Sequence, residues 1–360
     1  MIAESARRRV LAVLSIAARI ADASDSLGRE ARAELARTSG LSTEGIELAL
    51  ATSLETAASE SDLARLAAWA GSAPRCHVVA SANVCTASVR ALALALATSA
   101  VVTVKPSRRD PGLVHLLVRE LTAALDDAEV TEIAALDAEP GDHVHAYGSD
   151  LTLAEISRAL PSDVVLRGHG TGFGVALVRA GAPLDEAARR LAADVVVFDQ
   201  QGCLSPRIAF VEGRAHAATF ARSLHEALSA RARDVPPGRA VIDQRAVVHA
   251  YRQSMAAVGP VLENDDHLVT LDEAPESFLL PPPARVVAVL AIDTVGDAPA
   301  LLGEIAPFVT TIGSVASAEG AMDDAAAPLV LRCPGARLAA LGSMQRPPLD
   351  GPVDLRPARG

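Results

Sequence analysis

Aromatic side chains are scarce: six Phe, two Tyr and one Trp make up 2% of 360 residues. So few rings exclude the stacking platforms on which single-stranded nucleic acids lie. Positive charge is also short. Lys and Arg total 33 against 44 Asp and Glu, giving a formal net charge of −11 and a pI of ≈ 5.3. No basic stripe stands out, so no phosphate backbone is expected as a partner. Cysteine is limited to Cys76, Cys85, Cys203 and Cys333, with no CxxC pair and no Cys/His cluster at zinc spacing. Four dispersed cysteines without a secretory signal fit a reducing cytoplasm. Long apolar runs are missing too. The most apolar stretch lies between Arg90 and Lys105, short of the ~20 residues a membrane span needs. The N-terminal run is broken by Arg19 and Asp22 and reads as an amphipathic helix, not a signal peptide. There is no internal repeat.

What is present is a chain that is 50% hydrophobic, chiefly Ala and Val, with a mean hydropathy of +0.26. It is long enough for two full cores. Residues 1 to about 70 have helical periodicity, with breaks near Gly28, Ser39–Gly40 and Gly71–Ser72 that predict three or four helices. From Cys76 onward, short apolar strands alternate with helical stretches. The strands are predicted at 76–84, 101–107, 128–136, 143–149, 163–170, 175–180 and 207–213. That alternation predicts an α/β fold with a parallel sheet covered on both faces.

The most informative stretch is DQQGCLSPR, Asp199–Arg207. It follows the apolar run 194–198, read as strand-like, and sets Cys203 on a glycine turn. A sulfur exposed there, with its own N–H pointing into the same space, suits a nucleophile that must stabilise an oxyanion. A buried structural cysteine is the other reading. Asn83 and Lys105 fall at the ends of consecutive strands, on the rim where open α/β sheets bind ligands. Gly148 and Ser149 end a strand and open a helix, a phosphate-binding position. A capped turn at Asn83 and a solvated Lys105 are the plainer alternatives. RGHGTGFG (167–174) is glycine-dense but is not a strand-to-helix GxGxxG. His143 and His145 share one strand face, and no third ligand for a metal is apparent.

Together, SANV, VVTVKPSRRDP, HAYGSD, GHG, VVFDQQGCLSPR and LGSMQRPPLDGPVDLRP resemble the aldehyde dehydrogenase superfamily. More closely, they resemble bacterial acyl-CoA reductases of the bioluminescence type. The resemblance covers Cys76 to Leu355 and implies two α/β domains. Residues 1–172 would be a helical segment plus a Rossmann-like cofactor domain, and 173–335 a catalytic cysteine domain. The tail 336–360 would return to the first domain or to a partner subunit. It also implies roles. Cys203 would be the nucleophile and Asn83 the oxyanion donor, with His169 a candidate for proton transfer. Lys105, Ser107, Gly148 and Ser149 would contact the cofactor.

Two departures from the family pattern are informative. The stretch matching the glutamate-bearing motif of hydrolytic relatives is LRGHG, with no carboxylate, so thiol exchange fits better than water activation. Arg108 and Arg109 stand where a ribose-binding glutamate often follows Lys-Pro-Ser, which favours NADPH over NADH through a 2′-phosphate. The implied reaction reduces an acyl-CoA, or an acyl-carrier thioester, to an aldehyde. Oxidative or CoA-acylating dehydrogenation, or a non-catalytic scaffold subunit, are the alternatives. Related enzymes are dimers or tetramers, yet no oligomerisation hairpin precedes Cys76, so a homo-oligomer stays open.

Overall fold

The structure, a computed structural model, describes residues 4–315 and 326–356. The last four residues of the expected tail lie outside the described ones. Four helices lead: α1 (Glu4–Ala21), α2 (Ser26–Thr38), α3 (Thr43–Thr52) and α4 (Glu60–Ala70). Their starts are set by short polar side chains. The Asp25 carboxylate accepts from the Leu27 N–H at 2.8 Å. Ser59 and Asp62 form a reciprocal box at the head of α4, which satisfies donors the helix itself cannot.

A five-stranded sheet follows. It comprises β1 (Cys76–Val79), β2 (Val101–Lys105), β3 (Glu129–Glu132), β4 (His143–Tyr147) and β5 (Val165–His169), with α5 (Ala87–Thr98), α6 (Gly112–Ala124) and α7 (Asp150–Ala159) between them. The order is β3-β2-β1-β4-β5, all parallel. The leading helices and α5 close one continuous core over it, including Val13, Leu35, Leu92, Leu96 and Leu117.

The second sheet has seven strands. They are β6 (Phe173–Val178), β7 (Pro206–Glu212), β8 (Val261–Asn264), β9 (His267–Asp272), β10 (Val286–Ile292), β11 (Val309–Ser314) and β12 (Arg337–Ala340). The order is β12-β11-β6-β7-β10-β9-β8, and only the β8–β9 pair is antiparallel. One face packs on α8 (Leu184–Val196) and α9 (Arg214–Asp234). Short helices α10 (Arg239–Asp243), α11 (Arg245–Met255), α12 (Ala298–Leu302) and α13 (Ala327–Arg332) complete the unit. After β12 the chain crosses back. Leu349 enters the first core, and the buried Arg90 guanidinium donates to the carbonyls of Pro347, Pro348 and Gly351 at 2.7–2.9 Å.

One local expectation is corrected. Residues 194–198 are not a strand. Asp194–Val196 complete α8, and 197–200 form a tight turn. The helical face Ala187, Ala188, Leu191, Ala192, Val195 continues through Val196 into the core, so helical period, not β-propensity, decides the run.

Candidate active site

The cleft between the two sheets holds a cavity of about 570 Å³. On one side lie the C-terminal ends of parallel strands, as open α/β sheets dictate. Val79 pairs with Lys105, and Tyr147 with His169, so all four strand ends reach the same level. The loop after β1 carries Asn83. The Ser149 hydroxyl caps α7 by accepting from the Thr152 N–H at 3.2 Å. Opposite, Asp150 accepts from the Thr171 N–H at 3.0 Å. A Cβ on Gly170 would come within 2.2 Å of that carboxylate, so only glycine lets the two loops meet.

The cysteine loop comes from the other side. Phe198, Asp199 and Gln200 have φ of +53°, +51° and +66°, three successive left-handed residues of which none is glycine. Such a segment persists only where its surroundings over-determine it. Here they do. The buried Arg285 guanidinium donates to Asp199 Oδ1 at 2.6 and 2.9 Å and to the Val235 carbonyl at 2.8 Å. Asp199 Oδ2 accepts from the Gly238 N–H at 2.9 Å. The Gln200 amide bridges the Pro206 carbonyl and both main-chain groups of Val286 at 2.7–2.8 Å. Beyond this latch the chain turns through Gly202, and the Thr310 hydroxyl donates to the Cys203 carbonyl.

Cys203, Asn83, His169, Lys105, Ser107, Arg108, Arg109, Gly148 and Ser149 all line this one cavity. Burial pushes the Cys203 thiol up to about 11. The Asp354 carboxylate adds to that rise, while Arg356, Arg90 and the residue's own N–H oppose it. Burial drives His169 down to about 4. Its ring stacks on Tyr147 with centroids 4.5 Å apart, and its Nε2 is buried without a partner. Among the described residues no three His, Cys, Asp or Glu side chains converge as a metal site.

Three further residues line the cavity without a role read from the sequence. Asp354 arrives from the tail, held by Arg356 at 2.6–2.7 Å. Arg356 is itself tied to the carbonyls of Thr171 and Pro307 at 3.0 and 3.1 Å. Gln345 donates to the Ser205 hydroxyl at 3.0 Å. Arg207 stands at the start of β7. For the first two, the tail motif within the resemblance was the available clue. Arg207 is the last residue of DQQGCLSPR.

This architecture is that of the aldehyde dehydrogenases. A NAD-dependent benzaldehyde dehydrogenase from Corynebacterium glutamicum matches with a TM-score of 0.67 at 15% identity, over 94% of this chain and 80% of that one. A methylmalonate-semialdehyde dehydrogenase from Oceanimonas doudoroffii matches with a TM-score of 0.67 at 14% identity, over 94% and 78%. A glyceraldehyde-3-phosphate dehydrogenase from Methanocaldococcus jannaschii, complexed with NADP, matches with a TM-score of 0.64 at 14% identity, over 95% and 82%. No curated protein matches by sequence. The sequence model of the acyl-CoA reductase (LuxC) family matches residues 46–355. The chain belongs to that family, and the protein is an oxidoreductase acting on acyl-CoA or aldehydes.

Proposed function

We propose that the protein reduces an acyl-CoA to the aldehyde through an acyl-enzyme on Cys203, with NADPH as the reductant. The supporting observation is that Cys203, Asn83 and Lys105 line one cavity while the adjoining strand end, Arg167–His169, carries no carboxylate. Hydrolysis needs a base to activate water; thioester exchange needs only that the Cys203 thiol, which burial keeps protonated at rest, lose its proton as the CoA sulfur gains one.

In this reading the Cys203 sulfur attacks the thioester carbon. A new C–S bond forms, the bond to the CoA sulfur breaks, and the departing thiolate takes up the proton that Cys203 gave up. The Asn83 side-chain N–H and the Cys203 N–H hold the carbonyl oxygen while it carries negative charge. Each such donor contributes ~10²–10³ in rate. Residues 1–172 would hold the cofactor and 173–335 present the nucleophile.

The rim suits a nicotinamide dinucleotide. The start of α7 beside Gly148 and Ser149 offers main-chain N–H groups to a pyrophosphate. Lys105 and Ser107 flank the opening. Arg108 and Arg109 are exposed and pair with no carboxylate among the described residues, which leaves them for the 2′-phosphate that distinguishes NADPH; NADH is the alternative. Bound there, the cofactor supplies the hydride that reduces the acyl carbon. The chain's own part is to hold the carbonyl oxygen through both halves of the reaction and to receive the sulfur back as a thiol.

The test is NADPH oxidation in the presence of hexanoyl-CoA and related thioesters, with aldehyde trapped by a hydrazine. Wild type should consume cofactor and release aldehyde in equal amounts, and Cys203→Ala should do neither. Equal turnover in Cys203→Ala would overturn the reading.

A further inference from the structure

Four arginines line the cavity: Arg90, Arg108, Arg109 and Arg207. Arg90 is fully engaged with Glu55 and three carbonyls. Arg108 and Arg109 are exposed to water. Arg207 is different. It is largely buried, and its guanidinium has no hydrogen bond or ion pair among the described residues. Its Nε is shielded from solvent without a partner. The Phe173 ring lies 5.8 Å from the guanidinium carbon, and Tyr251 is near enough to interact with its charge. Partial burial lowers its pKa to about 10, with Tyr251 opposing the fall.

A buried cation without a counter-ion is costly, and proteins keep buried charges paired unless something else requires them. Three other arginines with buried side chains obey this rule, while Arg167, of the same intermediate exposure as Arg207 and with its Nε also unpartnered among the described residues, lies over the Trp69 ring and outside the cavity. Arg285 is paired with Asp199, Arg337 with Asp350 and Arg356 with Asp354. Arg207 breaks it where a substrate would lie. With no partner among the described residues, its N–H groups are left for a planar, bidentate acceptor, which is the geometry of a carboxylate.

Its place in the fold says which part of the substrate. Arg207 is the second residue of β7, four residues after Cys203 in sequence. Gln201, Leu204 and Pro283 line the cavity from that side too. The groups suited to cofactor phosphates, Lys105, Arg108, Arg109 and Ser149, all belong to the first sheet. Cys203 sits in the loop that runs into β7, so Arg207 and the nucleophile belong to the same wall of the cavity.

We propose that Arg207 binds a carboxylate at the far end of the acyl group, so that the substrate is the monothioester of a dicarboxylic acid. This rests on the acyl-enzyme reading above.

The experiment follows Cys203 acylation by intact mass, without cofactor. Succinyl-, glutaryl- and adipoyl-CoA are compared with butyryl-, valeryl- and hexanoyl-CoA, on wild type, Arg207→Met and Arg207→Lys, with Cys203→Ala correcting for background labelling. Wild type should favour one carboxylated thioester over its uncharged counterpart by ~10² or more, the scale of a buried charged pair. Arg207→Met should bring that ratio close to one, and Arg207→Lys should restore part of it. Equal rates for charged and uncharged chains in wild type, or a preference that survives Arg207→Met, would overturn the inference while leaving the acyl-enzyme intact. No adduct with any thioester would instead remove the acyl-enzyme reading, and this inference with it. Thermal melting gives a separate readout. Removing an unpaired buried charge should leave the melting temperature of Arg207→Met unchanged or higher. A clear fall would mark Arg207 as structural and contradict the proposal.

Discussion

Lys105 is the one lysine among 33 basic residues, every other position being arginine. It stands at the end of β2, on the lip of the cavity. A compact ammonium on a flexible stem reaches ribose hydroxyls in a way that a planar guanidinium fork does not, which gives a physical reason for lysine at this position. The singularity also makes a clean test. Apart from the N-terminus, Lys105 is the only amine an acylating reagent can modify, so each added label is visible in an intact mass. NADPH should slow labelling of Lys105 by about an order of magnitude, and NADPH with Arg108 and Arg109 both changed to Ser should protect less. Labelling at the same rate with and without cofactor would place Lys105 outside the cofactor site. At this scale much was legible in the sequence. Asn83, Lys105 and Gly148 were readable as rim positions because strand ends are marked by Pro, Gly and polar residues, and Cys203 by its place on a glycine turn, although the run before it is helix and not strand. Asp354 and Arg207 were not, since their significance lies in which partners they have and lack, and that is a property of the folded chain.

The cysteine loop works as an element because of what flanks it. The left-handed run 198–200 is stabilised by a buried ion pair, Asp199–Arg285, and by the Gln200 amide. Arg285 itself has φ +57°. Breaking such a pair from one side strands a buried charge, so Arg285→Met should cost about 3–5 kcal/mol in denaturant unfolding. It should also slow Cys203 acylation by loosening the turn that presents the sulfur. Adding Asp199→Asn should recover part of the stability, as coupled neighbours do; strictly additive losses would show that the pair is not the latch. Nothing in the string of residues announces this. A short apolar run before a glycine fits strand and helix equally, and left-handed backbone at Phe198 runs against local preference. The βα alternation of the first sheet was legible because polar, Gly- and Pro-marked breaks separate its strands from its helices, even though α5 is buried on every face. The β8–β9 hairpin and β12 were not, being four to six residues long with little alternation.

For the molecule as a whole, two sheets face each other across one cleft, and no described helix is long and apolar enough to cross a membrane. The first sheet collects histidines that burial holds below their usual pKa. His169 and, on the second sheet, His267 are driven to about 4 by burial, and His143 and His145 also fall below their usual value. The sign follows directly. Between about pH 6.5 and about pH 4 the unfolded chain takes up protons at these rings that the folded one refuses, so their contribution to stability is lost as pH drops through that window, while the buried Asp194, raised to about 7, contributes in the opposite sense. Denaturant midpoints should decline steadily from about pH 7 to about pH 4, and His267→Gln should flatten the decline; a decline as steep in His267→Gln as in wild type would mean that this ring is charged in the fold. The central claim is that Cys203 carries the acyl group, and intact mass after mixing with acyl-CoA in the absence of cofactor addresses it most directly. The account predicts one acyl adduct on wild type, none on Cys203→Ala, and discharge of the adduct when NADPH is added. An adduct that persists on Cys203→Ala, or one that NADPH and NADH both leave in place, would contradict it.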